Sequence, residues 1–493
     1  MALRLHPISD RAGEIPLAIS QDTFMQKQTL VSSIVASALF MEFLDQTVIT
    51  TAIPVIAADL GISPIDLKLG LTSYYLGLVL VTPASGWIGD RFGAQRVFLM
   101  AVLLFTLGSM ACGLSNSLPT LVVSRFIQGL GGAMMVPVGR LIVLRSVSRS
   151  EMVNALTWLT LPAVFGPMLG PVIGGFVTTY FHWRWIFWIN APIGIIGLAL
   201  AIIYLPDTPR QPDRGFDKAG YGLTASGLAL IVVGATFMGM GAVSLGIGIG
   251  ACALGIGLLA LYVRHAGRTA NPLLDLGLFR LATFRASFYG GLPFRIANGA
   301  SPFLMPMFFQ LGFGFNAFQS GILVFLSGLG AIVMKSTTGP ILRRFGFRKV
   351  LVSNGILNAA SLAGLAAITT TTPTVAIALF LLLLGFFRSL QYSSLTALSF
   401  AEVEQEQMSS ATSITSIVQP LSNSLGVSFG ALILELVIHG RSGGNEPVAT
   451  DFAPAFLAVG VICVTSVFFF TRLARNAGAE MSGHNQATPR AAE

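Results

Sequence analysis

Apolar runs about twenty residues long recur from about Thr29 to about Thr471, and they leave few folds open to this chain. A run of that length, coiled at about 1.5 Å per residue, matches the roughly 30 Å hydrocarbon core of a bilayer. Backbone amides find no water inside lipid, and these runs are too long and too uniformly apolar for barrel strands, so they read as helices. Fourteen spans follow, at about 29–54, 67–87, 97–115, 119–142, 153–178, 185–205, 217–238, 243–263, 284–311, 318–340, 350–369, 374–398, 411–438 and 453–472. Composition agrees: 10% of the 493 residues are charged, against about 25% in a soluble domain. The polar residues 1–28 carry no cleavable signal pattern, so the first span is expected to stay as an anchor. Cys112, Cys252 and Cys463 fall inside apolar runs and read as packing residues, with no disulfide or metal site implied.

The loops alternate in basic content. One set holds Arg91/Arg96, Arg140/Arg145/Arg149, Arg210/Arg214/Lys218, Arg264/Arg268/Arg280/Arg285 and Arg343/Arg344/Arg348/Lys349; the other holds Lys68, Arg184 and Arg441. Lys and Arg collect in cytoplasmic loops, so both termini are expected there; the acidic loop "FAEVEQEQ" (400–407) counts for little in that rule. The net charge of +8 is spread over short loops, where anionic lipid and topogenesis account for it without nucleic acid. The polar stretch after Arg475 reads as a disordered end.

The second half repeats the first. "GWIGDRFGAQR" (86–96) returns as "GPILRRFGFRK" (339–349) after 253 residues, and "RFIQG" (125–129) as "RSLQ" (388–391) after 263. Two six-helix bundles are expected, at 29–205 and 284–472, with an inserted helix pair and its loops at 206–283, an N-terminal segment 1–28 and a tail 473–493. Repeated halves with a site between them near the midplane are the architecture of secondary transporters.

A few polar residues stand where lipid punishes them. Asp45, in "FLDQTVITTAIP" (43–54), must face a cavity or a partner, since a carboxylate at mid-bilayer costs roughly 2.5–3.5 kcal/mol on insertion scales. It is the first candidate for a proton carrier. Glu42 lies one turn earlier on the same face, placed to share the proton, meet a cationic substrate or line the cavity. Arg125 needs an acceptor, and a link to the span-one acids competes with a static clamp between helices. Gln128, Arg295, Asn298, Gln310, Arg388 and Gln391 are candidates for a substrate cavity, with Phe303, Met305, Met307, Phe308 and Phe309 as an adaptable apolar wall. In the first loop motif Gly86 is expected to admit a neighbouring helix, Gly93 to make a tight turn, and Asp90 to pair with arginines or a helix N-terminus; with Arg91 and Arg96 they form a candidate conformational latch. Arg343 stands in the place of Asp90 in the second copy, so no symmetric latch is expected there. "GPMLGPVIGG" puts Gly166, Gly170 and Gly174 on one stripe, with Pro167, Pro171 and Gly175 beside it, for tight packing in a bent span.

These motifs carry a resemblance. "GWIGDRFGAQR" resembles the loop signature of the major facilitator superfamily, "RFIQGLGGA" its span-four motif and "GPMLGPVIGG" its span-five antiporter motif. "LDQTVITTAIP", "WRWIFWINAPIG" and "NPLLDLGLFR" resemble the fourteen-span drug:proton antiporters of the EmrB/QacA type, and "FRIANGASPFLMPMFFQ" is similar to their MdtD-like members. The resemblance implies the all-α major facilitator fold, with two bundles and two additional central helices, in a bacterial cytoplasmic membrane. It also implies Asp45 as proton carrier, coupled to Arg125, and a span-five hinge that seals against leak.

The function expected is proton-driven export of small amphipathic compounds by alternating access, with no cofactor, as a monomer or with an accessory membrane-fusion protein. The alternative is a dedicated exporter of an anionic metabolite or siderophore, held by Arg295 and Arg388. An enzyme or ATP-driven pump is disfavoured: there is no nucleophile triad or His/Cys cluster, and "GLGAIVMKS" and "GIGIGACALGIG" lack the context of a phosphate loop. A non-transporting receptor is disfavoured by the intact Asp45, Arg125 and span-five motif.

Overall fold

The proline and glycine positions in this chain decide where its long apolar helices stop, bend or continue. In the computed structural model, which describes residues 21–146, 152–207, 215–238, 245–404, 407–441 and 447–484, the first span is α1 (Gln21–Val48). It passes through a 3-10 turn at Ile49–Ala52 into α2 (Ile53–Leu60), because Pro54 has no N–H to return to the preceding turn. Pro83 breaks the second span in the same way, into α3 (Lys68–Val81) and α4 (Ser85–Phe92). Then come α5 (Ala94–Gly113), α6 (Leu118–Ser146), α7 (Met152–Tyr180), the short α8 (Trp185–Trp188) and α9 (Asn190–Tyr204). The inserted pair is α10 (Lys218–Phe237) and α11 (Leu245–Ala266). The second half holds α12 (Ala282–Met307), α13 (Ala317–Gly364), α14 (Thr374–Phe400), α15 (Met408–Gly440) and α16 (Phe452–Thr471), with α17 (Ala479–Ser482) after it.

Among the described residues eleven segments are long and apolar enough to cross a membrane. One of them, residues 317–367, is divided at Gly346, whose φ of +71° no ordinary helix residue adopts, and so provides two crossings. The broken α3/α4 and the polar α12, with Arg285 and Arg295, take the positions of the remaining two expected spans. The helices follow the expected places, and the count of purely apolar ones falls short because proline and buried polar groups interrupt the pattern.

The duplication is visible in packing. In the first bundle α1 packs on α7, α9 and α6; in the second α12 packs on α15, α16 and α14. The bundles meet where α7 lies on α13 and α3 on α15. Of the inserted pair, α10 lies against α3 and α15, while α11 turns Ile247, Leu254, Ile256 and Leu261 outward. Asp217 caps α10: its Oδ1 accepts from Gly220 N at 2.8 Å and lies 2.8 Å from His265 Nε2, and its Oδ2 accepts from Leu273 N at 3.2 Å. Burial alone would push this carboxyl up, but those hydrogen bonds outweigh it and hold it below the usual aspartate range.

The tail corrects one expectation. Residues 476–484, read as part of a disordered end, fold back on α13 with Ala479–Ser482 as the short α17, and His484 Nδ1 sits 2.8 Å from Arg343 O. The missing side chain of Gly346 leaves the space that the His484 ring approaches. Residues 1–20 and 485–493, with Arg149, Arg210, Arg214 and 405–406 of the acidic loop, lie outside the described residues.

Candidate functional site

Asp45 sits half-way along the first span with no exposed surface. Its Oδ2 accepts from Arg125 Nη1 at 2.5 Å; its Oδ1 accepts from Gln128 Nε2 at 2.9 Å and Asn190 Nδ2 at 2.7 Å. Arg125 and Gln128 are three residues apart on α6, so one helix face supplies both. Arg125 is itself fully buried, donates further to Gln128 Oε1 at 2.8 Å and Gly70 O at 3.4 Å, and lies 4.4 Å from the Tyr74 ring centre. Asn190 on α9 also donates to Ser109 Oγ on α5 at 3.0 Å. An ion pair in this setting is tolerated because both charges have hydrogen-bonded partners; removing one partner of such a pair costs about 3–5 kcal/mol.

Glu42 is one turn away and 3% exposed. Its Oε1 accepts from Gln46 Nε2 at 3.3 Å, while Oε2 has no hydrogen-bond partner among the described residues. Gly132 on α6 faces both Glu42 and the Tyr74 hydroxyl. The expected acids therefore meet different neighbours: Asp45 is engaged by three donors and Glu42 by one.

The residues expected to form one cavity wall are dispersed. Gln128 belongs to the Asp45 cluster. Gln310, in the π-turn Phe308–Gly312, donates to Thr51 O at 2.9 Å in the other bundle. It lies fifteen residues from Arg295, roughly 22 Å along the helix. Gln391 donates to Leu351 O and accepts from Asn354, and Asn298 donates to Phe294 O and Asn358 Oδ1, so both are absorbed in helix contacts. Phe303, Met305, Met307, Phe308 and Phe309 are at most 1% exposed, and Phe308 packs on Phe452 and Phe456 of α16. They are core and offer no open wall, because α12 turns this stretch toward α16. Arg295 donates to Ser287 O within α12 at 3.5 Å, and Arg388 donates to Ser327 Oγ on α13 at 3.4 Å.

At the loop motif Arg145 Nη2 donates to Asp90 Oδ1 at 2.9 Å, and Gly93 takes φ +92° to join α4 to α5 without a linker. Arg91 and Arg96 are exposed. The expected close approach at Gly86 is absent: nothing lies within 4 Å of where its Cβ would be. In α7, by contrast, Gly166, Gly170 and Gly174 leave no room for a side chain against Phe43, Thr47 and Val48 of α1, and Gly175 none against Ala317 of the other bundle. Pro167 and Pro171 lie within α7, and the Pro171 carbonyl leaves Gly321 of α13 no room for a side chain, which extends the seam between the bundles.

Sequence reasoning missed Asn190 and Ser109, although Asn190 lies within the quoted "WRWIFWINAPIG". It also counted Lys68 as a loop charge, whereas the side chain is fully buried at the start of α3.

The comparisons with known proteins agree with this architecture. The model of the family described as Major Facilitator Superfamily matches residues 35–427 and 287–490. MdtD of Escherichia coli O6:H1, whose name assigns it to multidrug resistance, is 37% identical over 454 residues, covering 89% of this chain and 93% of its own. MdtD of Pectobacterium atrosepticum is 39% identical over 444 residues, covering 89% and 94%. Among solved structures, a bacterial homologue of the lysosomal transporter Spinster, inward-facing, superposes with TM-score 0.65 at 15% identity, covering 97% of this chain and all of that one. A POT family transporter in complex with 5-aminolevulinic acid gives 0.67 at 15% identity, covering 90% and 95%. With duplicated bundles, a family match across most of its length and relatives above one-third identity, the chain belongs to the Major Facilitator Superfamily as an MdtD-like multi-pass membrane transporter.

Proposed function

We propose that the chain is a proton-coupled exporter of small amphipathic compounds in the bacterial inner membrane, with both termini cytoplasmic and Asp45 as the main proton carrier. The observation that supports this most is the buried Asp45–Arg125 pair, held by Gln128 and Asn190 from separate helices. An ionised Asp45 holds Arg125; a protonated one releases it, and the freed guanidinium must find another acceptor or let α6 move relative to α1. A proton therefore changes which helices are tied together. Glu42, one turn away and with an unengaged oxygen, is the nearest relay for it.

The rest of the cycle rests on the seams. Gln310 to Thr51 O, Phe318 N to Thr179 Oγ1, and the Gly175–Ala317 and Gly321–Pro171 contacts tie the bundles at the end opposite the basic loops. With those loops cytoplasmic, the outer side is the sealed one, and substrate enters from within. One elementary charge moving across 100 mV provides about 2.3 kcal/mol, enough to bias the exchange. The names of the relatives point to drugs as the compounds moved. Proton release on substrate addition to purified protein, compared with Asp45→Asn, tests the reading: the variant should lose release and gradient-driven export by a hundredfold or more while remaining folded. Undiminished export by a folded Asp45→Asn protein refutes the assignment.

A further inference from the structure

Protonation of Asp45 takes away the acid of Arg125, yet the guanidinium has neighbours that the proton does not touch. Its central carbon lies 4.4 Å from the centre of the Tyr74 ring and 5.8 Å from that of Phe187. Gln128 Oε1 at 2.8 Å and Gly70 O at 3.4 Å accept from it as well. These groups belong to α3, α6 and α8, none to α1. Both rings are buried, Tyr74 at 1% exposure and Phe187 at 0%. A cation within about 6 Å of a ring centre is drawn to the negative face of the ring, and more strongly where water is excluded.

Each ring is set in place by something other than Arg125. Gly129 of α6 leaves no room for a side chain against the Tyr74 carbonyl, so α3 and α6 touch there. One turn on, a Cβ at Gly132 would stand 2.9 Å from the Tyr74 hydroxyl. That hydroxyl has no hydrogen-bond partner among the described residues, so the ring face is what Tyr74 offers to the site. For Phe187, Ser109 Oγ donates to its carbonyl at 2.9 Å and accepts from Asn190 Nδ2 at 3.0 Å. The same serine thus anchors one ring and the amide that holds Asp45.

We infer that Tyr74 and Phe187 are positioning residues that form an aromatic seat for Arg125, holding the cation on α3, α6 and α8 while Asp45 carries a proton. The inference rests on the export reading above and says which helix is loosened. Ionised Asp45 ties α1 to α6 through a charge-assisted bond; the protonated acid keeps only the neutral bonds from Gln128 and Asn190. Arg125 does not follow the acid, because two rings and two carbonyl oxygens retain it. The loosened element is therefore α1, which packs on the glycine stripe of α7. Rings suit this task better than a second carboxylate, since they hold a cation without taking up the proton that releases it.

Spin labels on Ser37→Cys of α1 and Arg140→Cys of α6 test this in full-length protein in detergent, with Cys112, Cys252 and Cys463 changed to serine. Ser37 and Arg140 are exposed, and the approach of Val35 to Gly139 puts them at one depth. On acidification the distance between the labels, read by electron paramagnetic resonance, should lengthen. Asp45→Asn should hold the longer distance at every pH. Tyr74→Phe should respond as wild type does, because it keeps the ring. Mono-, di- and trifluorinated phenylalanine at position 74 should need stepwise more acid, since fluorine drains the ring face at nearly constant shape. Tyr74→Leu should need about one pH unit more, a tenfold change in proton affinity, and Phe187→Leu less than that. If the leucine variants fail to fold, the fluorinated series decides. An unchanged distance in wild type, a series blind to fluorine, or Tyr74→Phe behaving like Tyr74→Leu would overturn the seat. A flat series beside an Asp45→Asn protein that has lost its pH response sinks the seat alone. A pH response that survives Asp45→Asn sinks the proton-carrier reading and the seat with it.

Discussion

Arg125 and Arg388 stand in matching places of the two halves, each three residues before a glutamine on the helix that crosses its bundle. Their surroundings are opposite. Arg125 meets Asp45, Gln128 and Gly70 O, whereas Arg388 meets one serine hydroxyl at long range. The 253-residue offset of the loop motifs also places Arg295 opposite Glu42 and Asn298 opposite Asp45. One scaffold thus carries an acid–base pair in its first half and, among the described residues, two bases without acids in its second. Duplication conserves the packing that builds a bundle, but leaves each interior free to carry its own charge.

The widest gap between the halves should appear on neutralising the arginines. Arg125→Gln strands a buried Asp45 and should cost about 3–5 kcal/mol. Arg388→Gln strands no carboxylate and should cost under about 1 kcal/mol, within the range of an ordinary change. Thermal melts in one detergent compare them, and equal losses would break the contrast. Glycines sharpen it at the next level. Gly170→Val forces a side chain into Thr47 and should cost about 1–3 kcal/mol. Gly86→Ala meets open space in a helix and should be neutral or raise stability by about 0.5–1 kcal/mol.

A smaller effect is expected at the latch. The Asp90–Arg145 pair is partly exposed, so breaking it with Arg145→Gln should cost about 0.2–1 kcal/mol of stability. It should slow transport while leaving substrate affinity unchanged; a pure loss of affinity would count against a latch. Smallest is the cap of the inserted pair. Because the Asp217 carboxyl is held low in the folded protein, its contribution is present above about pH 4, the ordinary aspartate range, and is lost as pH falls through the depressed value. Melting temperature should therefore fall more steeply on acidification in wild type than in Asp217→Asn.

Much of this was legible from residues. The glycine stripe of α7 and the cap glycine at position 93 follow from local rules, since close approach and positive φ each demand a residue without a side chain. Asp45 and Arg125 were legible singly, as charges that lipid would not accept. Their pairing was a hypothesis only, eighty residues apart in the chain. Other readings failed where a helix face decides. Phe308 and Met305 look like an adaptable wall by composition but turn into the core. Gln310 looks like a cavity residue but ties the two bundles. Gly86 looks like a contact point, yet the contact falls elsewhere on the helix.

By itself the sequence determined the membrane class, the helix order and the duplication, because lipid thickness and backbone hydrogen bonding leave one solution for runs of that length. Only the tertiary structure decided which polar groups are neutralised, bringing Asn190 and Gln128 onto Asp45 and leaving Arg295 and Arg388 without an acid among the described residues. Rotation of a helix by one residue moves a side chain about 100° around its axis, and no local pattern in a uniformly apolar span fixes that angle. It is set when the small residues of neighbouring helices lock together.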